Sequence, residues 1–189
     1  MSVAFEDMSE YAQRVVTALG LEEHPEGGWY RQTWLSEQAA AGVATRQGTE
    51  ADPKALKAMK ATEGRPLASL IYFLLAEGDA SAWHKVDATE IWLWHGPATV
   101  GLELGGYGDA PADEDGRTLY ALGQGLAPAN PAQADAAQPE AATPDASSAP
   151  IGQVVIPEGC WQRTVPGKGD ALVSCVVSPG FTFDGFTLE

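Results

Sequence analysis

Short runs of alternating apolar and polar residues recur along this chain and predict a protein built mainly of β-strands. Most of the runs are bounded by glycine or proline, the residues that commonly form turns. The predicted strands span residues 29–34, 67–75, 90–94, 98–104, 117–122, 153–156, 160–165 and 171–177. Short strands separated by turns indicate an all-β sandwich or barrel.

One helix is predicted before the first strand. Ser9 can cap a helix that runs to about Leu19, where Gly20 ends it. Val15 and Val16 share an apolar face with Leu19, so the helix should pack against the sheet.

The strand at residues 67–75 is apolar on both faces. Ile71 and Phe73 point to one side, while Leu70 and Leu74 point to the other. We therefore expect both faces to be buried, with a second sheet or a second subunit covering the outer one.

The segment around His84 and Glu90 is the strongest candidate for chemistry. A turn at residues 87–88 predicts a hairpin whose two strands point these polar side chains at one place. Trp92 and Trp94 share the face of Glu90, because strand side chains alternate in direction. Polar groups beside two indole rings are typical of a small-molecule pocket.

A second candidate is Arg31, which follows a turn built by Pro25, Gly27 and Gly28. An arginine flanked by aromatic residues on a strand can bind an anionic or sugar-like ligand. The alternative is an arginine at a sheet edge that stacks on its neighbours.

Two segments interrupt the strand pattern. Residues 36–65 read as a surface loop with one or two helical turns around residues 53–61. Alanine and proline dominate residues 127–150, which have almost nothing to bury and predict a mobile excursion. We interpret residues 1–189 as a single domain with surface insertions at about 36–65 and 108–150.

Charge narrows the function classes. The chain has 11 Lys and Arg against 26 Asp and Glu, a net charge of −15 that disfavours nucleic acid as a partner.

Residues 1–10 contain no long apolar run, so neither a signal peptide nor a membrane anchor is expected. Cys160 and Cys175 have no zinc-type spacing and suit small buried positions in a cytoplasmic protein.

The central segment also resembles the first motif of the cupin superfamily, in which two histidines and a glutamate lie between two glycines. Gly78, His84 and Glu90 match that motif, Gly96 comes one residue early, and Val86 replaces the second histidine.

A later segment resembles the second cupin motif. Pro157 and Gly159 match it, while Gly152 is one residue out of place. Gln162 stands where the motif has its histidine, and Pro166 replaces the asparagine.

Further stretches of the sequence are similar to an uncharacterised cupin family, found mainly in bacteria, that has a yeast member. The similar stretches are residues 24–31, 71–75, 81–84, 87–92, 157–162 and 179–181. The resemblance implies a double-stranded β-helix, the RmlC-like jelly-roll barrel, and a homodimer. It also implies a shape related to that of sugar-nucleotide epimerases.

The resemblance leaves the chemistry open between a metal-dependent and a metal-free enzyme. Cupin metals are held by three histidines and a glutamate, so His84, Glu90 and Gln162 would form an incomplete shell for a divalent transition metal. Without metal, His84 could act as a general base oriented by Glu90, as in a sugar isomerase or epimerase. Tyr30 or Tyr72 would then supply the acid.

A third hypothesis is a non-catalytic sensor of a small, carbohydrate-like or nucleotide-sugar-like ligand. Trp92 and Trp94 would stack on the ligand, and Gln162 would bind it by hydrogen bonds. In the plainest alternative, His84 and Glu90 form a pair that only stabilises the barrel. The predicted site has catalytic and ligand-binding members: His84 and Glu90 for catalysis, and Arg31, Tyr72, Trp92, Trp94 and Gln162 for binding.

Overall fold

The computed structural model describes residues 2–37, 64–124 and 151–189. Within these ranges the chain forms one α-helix and eleven β-strands. They are α1 (Glu10–Leu19), β1 (Glu22–Glu23), β2 (Trp29–Leu35), β3 (Ser69–Leu75), β4 (His84–Val86), β5 (Thr89–Pro97), β6 (Val100–Leu104), β7 (Thr118–Leu122), β8 (Gln153–Ile156), β9 (Gln162–Val165), β10 (Ala171–Ser178) and β11 (Phe186–Leu188).

The strands form two sheets. One has six strands in the order β1-β2-β3-β10-β5-β8, and the other has five in the order β11-β4-β9-β6-β7. Consecutive neighbours in both sheets are antiparallel. The predicted all-β jelly roll with a short N-terminal helix is therefore confirmed.

Large parts of both predicted insertions lie outside the described residues, including the helical turns at 53–61 and the alanine- and proline-rich segment up to residue 150. In the described ranges, no helix combines the length and the apolar character that a membrane crossing requires.

The helix begins and ends where its capping residues predict. The Ser9 side chain accepts a hydrogen bond from the backbone N–H of Ala12, which satisfies one free donor of the first turn. Gly20 adopts φ 62°, a left-handed conformation that glycine adopts without strain, and it ends the helix. Leu21 then turns back to donate its N–H to the carbonyl of Val16.

The outer face of β3 is buried beneath this helix. Leu74 and Ala76 pack into a cluster with helix residues Ala12 and Val16 and with Leu21 just after the helix. The prediction that β3 would be buried on both faces is confirmed for Phe73, Leu74 and Leu75, whereas Leu70, Ile71 and Tyr72 are half-buried. The cover is an element of the same chain, so burial of this outer face requires no second subunit.

The main core lies between the sheets. The six-stranded sheet contributes Phe73, Trp92 and Val173, and the five-stranded sheet contributes Leu102 and Leu122. Each of these five side chains is at most 1% exposed. Burial of this much apolar surface supplies the main driving force for closing the two sheets on each other.

The prediction of a hairpin at residues 84–94 is wrong, because the two strands do not pair with each other. β4 pairs with β9 and β11, whereas β5 pairs with β10 and β8 in the other sheet. The turn at residues 87–88 therefore forms a corner at which the chain changes sheet. His84 and Glu90 approach each other from opposite sheets, because side chains on the inner faces of a sandwich converge.

The C-terminal segment is an integral part of the fold. β11 pairs with β4 along the edge of the five-stranded sheet. Arg65 ties this segment to the corner, because its guanidinium contacts both carboxylate oxygens of Asp87 at 3.0 Å and donates to the carbonyl of Gly180. The Arg65 side chain is 8% exposed and the Asp87 side chain 39%, so the guanidinium is shielded while water still reaches the carboxylate.

We predict that Arg65→Met lowers the free energy of unfolding by about 2–3 kcal/mol, because Asp87 and the Gly180 carbonyl lose a charged donor. Urea unfolding followed by circular dichroism measures this change. The matched control is Arg14→Met on the exposed face of α1, where the ion pair with Glu10 is worth less than about 0.5 kcal/mol. Equal losses in the two variants would contradict the assignment.

Candidate functional site

A cavity of about 490 Å³ extends inward from the edge of the two sheets. Its wall contains five aromatic rings, two histidines and three glutamates. These residues are Tyr30, Phe73, Phe181, Phe183, Phe186, His24, His84, Glu22, Glu26 and Glu90. Aromatic walls around a few fixed polar groups are typical of a small-molecule site.

His84 presents an unprotonated nitrogen to this cavity. Its Nδ1 lies 2.8 Å from the carbonyl oxygen of Ala82, and because a carbonyl only accepts, Nδ1 carries the hydrogen. Nε2 therefore bears a lone pair, and it lies 3.3 Å from Oε2 of Glu26. Burial lowers the pKa of His84 to about 4, so the imidazole is neutral near pH 7.

Glu26 reaches the cavity from the turn between β1 and β2. Gly27 and Gly28 adopt φ values of 108° and 74°, and a Cβ on Gly28 would lie 2.7 Å from the ring of Phe73. Only glycine fits this close approach, and it lets the turn fold inward. The backbone carbonyl of Glu26 accepts from Ala82 at 2.7 Å, so Ala82 connects the turn to the His84 ring.

The Glu26 carboxyl keeps its proton to higher pH than an exposed glutamate does. Burial, and then the nearby Glu90 carboxyl, raises the pKa of Glu26 well above its ordinary value. Because Nε2 of His84 is an acceptor, the protonated Glu26 carboxyl is the donor in the contact between the two residues. Glu26 and His84 therefore form a neutral pair that shares one proton.

His24 borders the same pair. Its Nδ1 accepts from the backbone N–H of Glu26 at 3.3 Å and lies 3.5 Å from Glu26 Oε2. Burial, and then the adjacent His84, lowers the pKa of His24 to about 4. The ring packs edge-on against Tyr30, with 4.5 Å between the ring centroids.

Glu90 belongs to a hydrogen-bonded chain that joins the two sheets. Its Oε2 accepts from Nε2 of Gln162 at 2.6 Å, and Oε1 of Gln162 accepts from the indole N–H of Trp92 at 3.1 Å. Burial raises the pKa of Glu90, while the hydrogen bonds from Gln162, Cys175 and Trp92 oppose that rise. Glu90 is thus held by its own network, and the carboxyl that faces His84 Nε2 is that of Glu26.

The predicted site residues fall into two groups. His84, Glu90 and Arg31 line the cavity. The guanidinium of Arg31 donates to the carbonyl of Leu19 at 3.2 Å, so it also binds the end of α1. Carbonyls at a helix C-terminus attract a positive charge.

The other four predicted ligand-binding residues lie outside the cavity wall. Gln162 and Trp92 stand behind Glu90 in the hydrogen-bonded chain. Trp94 packs on the core and donates its indole N–H to the carbonyl of Ala98. Tyr72 packs with the helix cluster and approaches His95 outside the cavity, so Tyr30 is the predicted acid that reaches the wall.

Sequence reasoning missed the remaining wall residues. His24 and Glu26 precede two glycines, a pattern that predicts a turn but not the direction in which its side chains point. Phe181, Phe183 and Phe186 line the cavity, and the three rings pack against one another with centroids 5.1 to 6.3 Å apart. Their clustering near the chain end was visible in the sequence, but nothing local indicated that β11 would pair with β4.

The donor set does not fit a cupin metal. The indole N–H of Trp92 fixes the direction of the Gln162 amide, so the amide oxygen faces Trp92 and its NH₂ faces Glu90. Val86 offers a methyl surface at the remaining ligand position. In the described ranges, no group of three or more His, Cys, Asp and Glu is arranged to hold a metal ion. The predicted set of His84, Glu90 and Gln162 is a hydrogen-bonding arrangement.

Comparison with known proteins places this site in a family. Residues 13–189 match the family model described as Cupin superfamily (DUF985). The crystal structure of protein SO0799 from Shewanella oneidensis is similar at 30% identity, over 94% of this chain and 84% of that one, with a TM-score of 0.61. A hypothetical protein from Leishmania major shares the fold at 22% identity, with coverage of 94% and 86% and a TM-score of 0.60. A comparison with curated proteins gave no match.

The shared proton predicts an unusual pH dependence. Between pH 4.5 and 6.5 the two histidines are protonated in the unfolded chain and neutral in the folded one, which makes stability rise with pH. The raised pKa of Glu26 means that the folded chain holds a proton that the unfolded chain has lost, which makes stability fall with pH. The two effects oppose each other in this range. Above pH 6.5 the histidines are neutral in both states, whereas the raised pKa of Glu26 lets the folded chain hold that proton to higher pH than the unfolded chain does. Stability should therefore fall as pH rises above 6.5, by up to about 1.4 kcal/mol per pH unit.

Glu26→Gln should reduce that slope, because the amide does not titrate. Urea unfolding at several pH values from 6.5 to about 8 measures it. The control is Glu114→Gln in the exposed turn before β7, which removes one charge far from the cavity. A slope that is equal in Glu26→Gln and in the control would contradict the buried proton.

Proposed function

This chain belongs to the DUF985 family of the cupin superfamily, and we propose that its cavity binds a small carbohydrate-like molecule and moves a proton on it. The observation that carries the proposal is the Glu26–His84 pair, whose Oε2 and Nε2 atoms lie 3.3 Å apart in the wall of the cavity. A buried pair that holds one proton between a neutral base and a neutral acid is suited to general acid–base catalysis.

The size and surface of the cavity favour a compact organic ligand. Its volume of about 490 Å³ lies within the usual range of small-molecule sites. Aromatic rings such as Tyr30 and Phe186 can pack against the C–H faces of a sugar ring. Polar groups at His84, Glu26 and Glu90 can fix its hydroxyl or carbonyl groups.

The charges favour a carbohydrate over a nucleotide sugar. Three glutamates line the cavity, at positions 22, 26 and 90. Among the described lining residues, Arg31 alone carries a permanent positive charge, and its guanidinium is bound to helix carbonyls. A diphosphate would therefore meet carboxyl groups without a dedicated cation to balance its charge.

The catalytic form of the proposal is metal-free isomerisation or epimerisation of a carbon next to a carbonyl. The bound ligand first displaces the Glu26 hydroxyl from Nε2 of His84, which frees the lone pair. Nε2 then removes the proton, and the Ala82 carbonyl that accepts from Nδ1 stabilises the imidazolium that forms. The proton returns to a neighbouring atom from His84, from Glu26 or from the hydroxyl of Tyr30, which is bonded to Glu22. No net oxidation occurs, so the step needs no redox partner.

The second candidate is a non-catalytic sensor that uses the same cavity. The fully hydrogen-bonded chain of Glu90, Gln162 and Trp92 favours it, because such a network holds a binding site rigid without entering a reaction. The predicted homodimer and cytoplasmic location belong to either version and stay predictions.

The first test is native mass spectrometry of the protein purified without chelator, because it reports retained ligand, metal and subunit number together. We expect an organic mass in the range of a small polar molecule, and candidate sugars related to that mass become substrates for turnover assays. His84→Ala should lower turnover by at least about 100-fold while the melting temperature stays nearly unchanged.

The matched control is His95→Ala, since His95 is exposed and lies outside the cavity. Its turnover should equal that of the wild type. Retained ligand without turnover of any related sugar would favour the sensor. If the melting temperature of His84→Ala falls by several degrees while ligand binding is unchanged, His84 only stabilises the fold, and its catalytic role is overturned.

A further inference from the structure

The polar groups around His84 are mainly hydrogen-bond acceptors. Nε2 of His84 carries a lone pair because Nδ1 donates to Ala82, and Oε2 of Glu26 lies 3.3 Å away. Glu90 adds a second carboxyl to the same wall, and the hydrogen bonds given for it are ones that it accepts. In the free protein, the proton on Glu26 is the one donor between Nε2 of His84 and the Glu26 carboxyl.

Several donors that line the cavity already have partners. The hydroxyl of Tyr30 is bonded to Glu22, and the thiol of Cys175 is bonded to Glu90. Arg31 donates to the carbonyls of Leu19 and Gly20 at the end of α1. A ligand group that reaches Glu26 and His84 therefore meets mainly acceptors, and it can satisfy them by supplying donors.

We propose that the ligand carries a protonated amine, which binds among His84, Glu26 and Glu90. This inference rests on the proposed function, in that it names the class of carbohydrate-like molecule. An ammonium group offers three donors and no acceptor, which matches a lone pair beside two carboxyls. A hydroxyl offers one donor and adds its own lone pairs, and a carboxylate offers neither donors nor a favourable charge.

The surrounding charge and rings support the same assignment. Glu22 adds a third carboxyl to the wall of the cavity. The Phe186 ring lies 5.6 Å from the His84 ring, and Tyr30 lies 4.5 Å from the His24 ring, so aromatic faces border the acceptors. Aromatic rings attract a cation within about 6 Å of their centroids. When the ammonium enters, it takes the place of the shared proton, and Glu26 releases that proton to solvent.

The test compares three sugars that differ in one substituent: D-glucosamine, D-glucose and D-glucuronate. Isothermal titration calorimetry at neutral pH in the presence of EDTA measures their binding to the full chain. We expect glucosamine to bind at least about tenfold more tightly than glucose, and glucuronate to show no binding. EDTA removes metal-mediated binding of the amine as an explanation.

Glu26→Gln should abolish the preference for glucosamine, because its amide replaces an acceptor by a fixed N–H donor. Glu114→Gln makes the same substitution in an exposed turn and should keep the preference. The assignment would be overturned if Glu26→Gln kept the preference for glucosamine. It would also be overturned if both variants lost the preference, because the preference would then depend on the overall charge of the protein.

The sugar comparison separates this inference from the proposed function. Glucose binding as tightly as glucosamine, or glucuronate binding best, would overturn the amine assignment while leaving the cavity as a sugar site. A retained ligand that lacks an amine would do the same. Absence of binding by all three sugars together with bare subunits in native mass spectrometry would overturn both proposals.

Discussion

The proton shared by Glu26 and His84 is the constraint on which the cavity depends. Two histidines and two carboxyls lie within one buried cluster, and each would be costly to bury as an isolated charge. Burial lowers the pKa of both histidines and raises the pKa of both carboxyls, so each shift favours the neutral form of its group. The turn that carries Glu26 and the start of β4, which carries His84, are tied through Ala82, so the two side chains meet at a fixed place.

The departures from the cupin motifs form one consistent change in chemistry. Where the family pattern would supply ligands for a metal, this chain has Val86 and Gln162. Gln162 joins Glu90 in one sheet to the other sheet by a 2.6 Å hydrogen bond and accepts from Trp92. The position that would bind a metal instead holds the sandwich together. The scaffold is retained, and the groups to which we assign proton transfer, Glu26 and His84, lie in the cavity wall.

Much of the cavity is built by parts of the chain outside those motifs. β11 supplies Phe186 and depends on pairing with β4, while the Arg65 contacts hold the preceding loop against the corner at Asp87. The helix α1 covers the outer face of β3 and accepts the Arg31 guanidinium at its end. The shape of the site therefore reflects contacts between segments that are far apart in sequence.

The sequence by itself determined the features that arise within a few residues. Periodicity predicted the strands, Ser9 and Gly20 marked the ends of the helix, and the motif spacing placed His84 and Glu90 in the interior. Only the tertiary structure decided that β4 and β5 lie in different sheets, that Glu26 is the partner of His84, and that the last strand closes the wall. The reason is physical: capping and alternation are local, whereas the direction of a turn side chain and the partner of an edge strand are fixed by packing between distant segments.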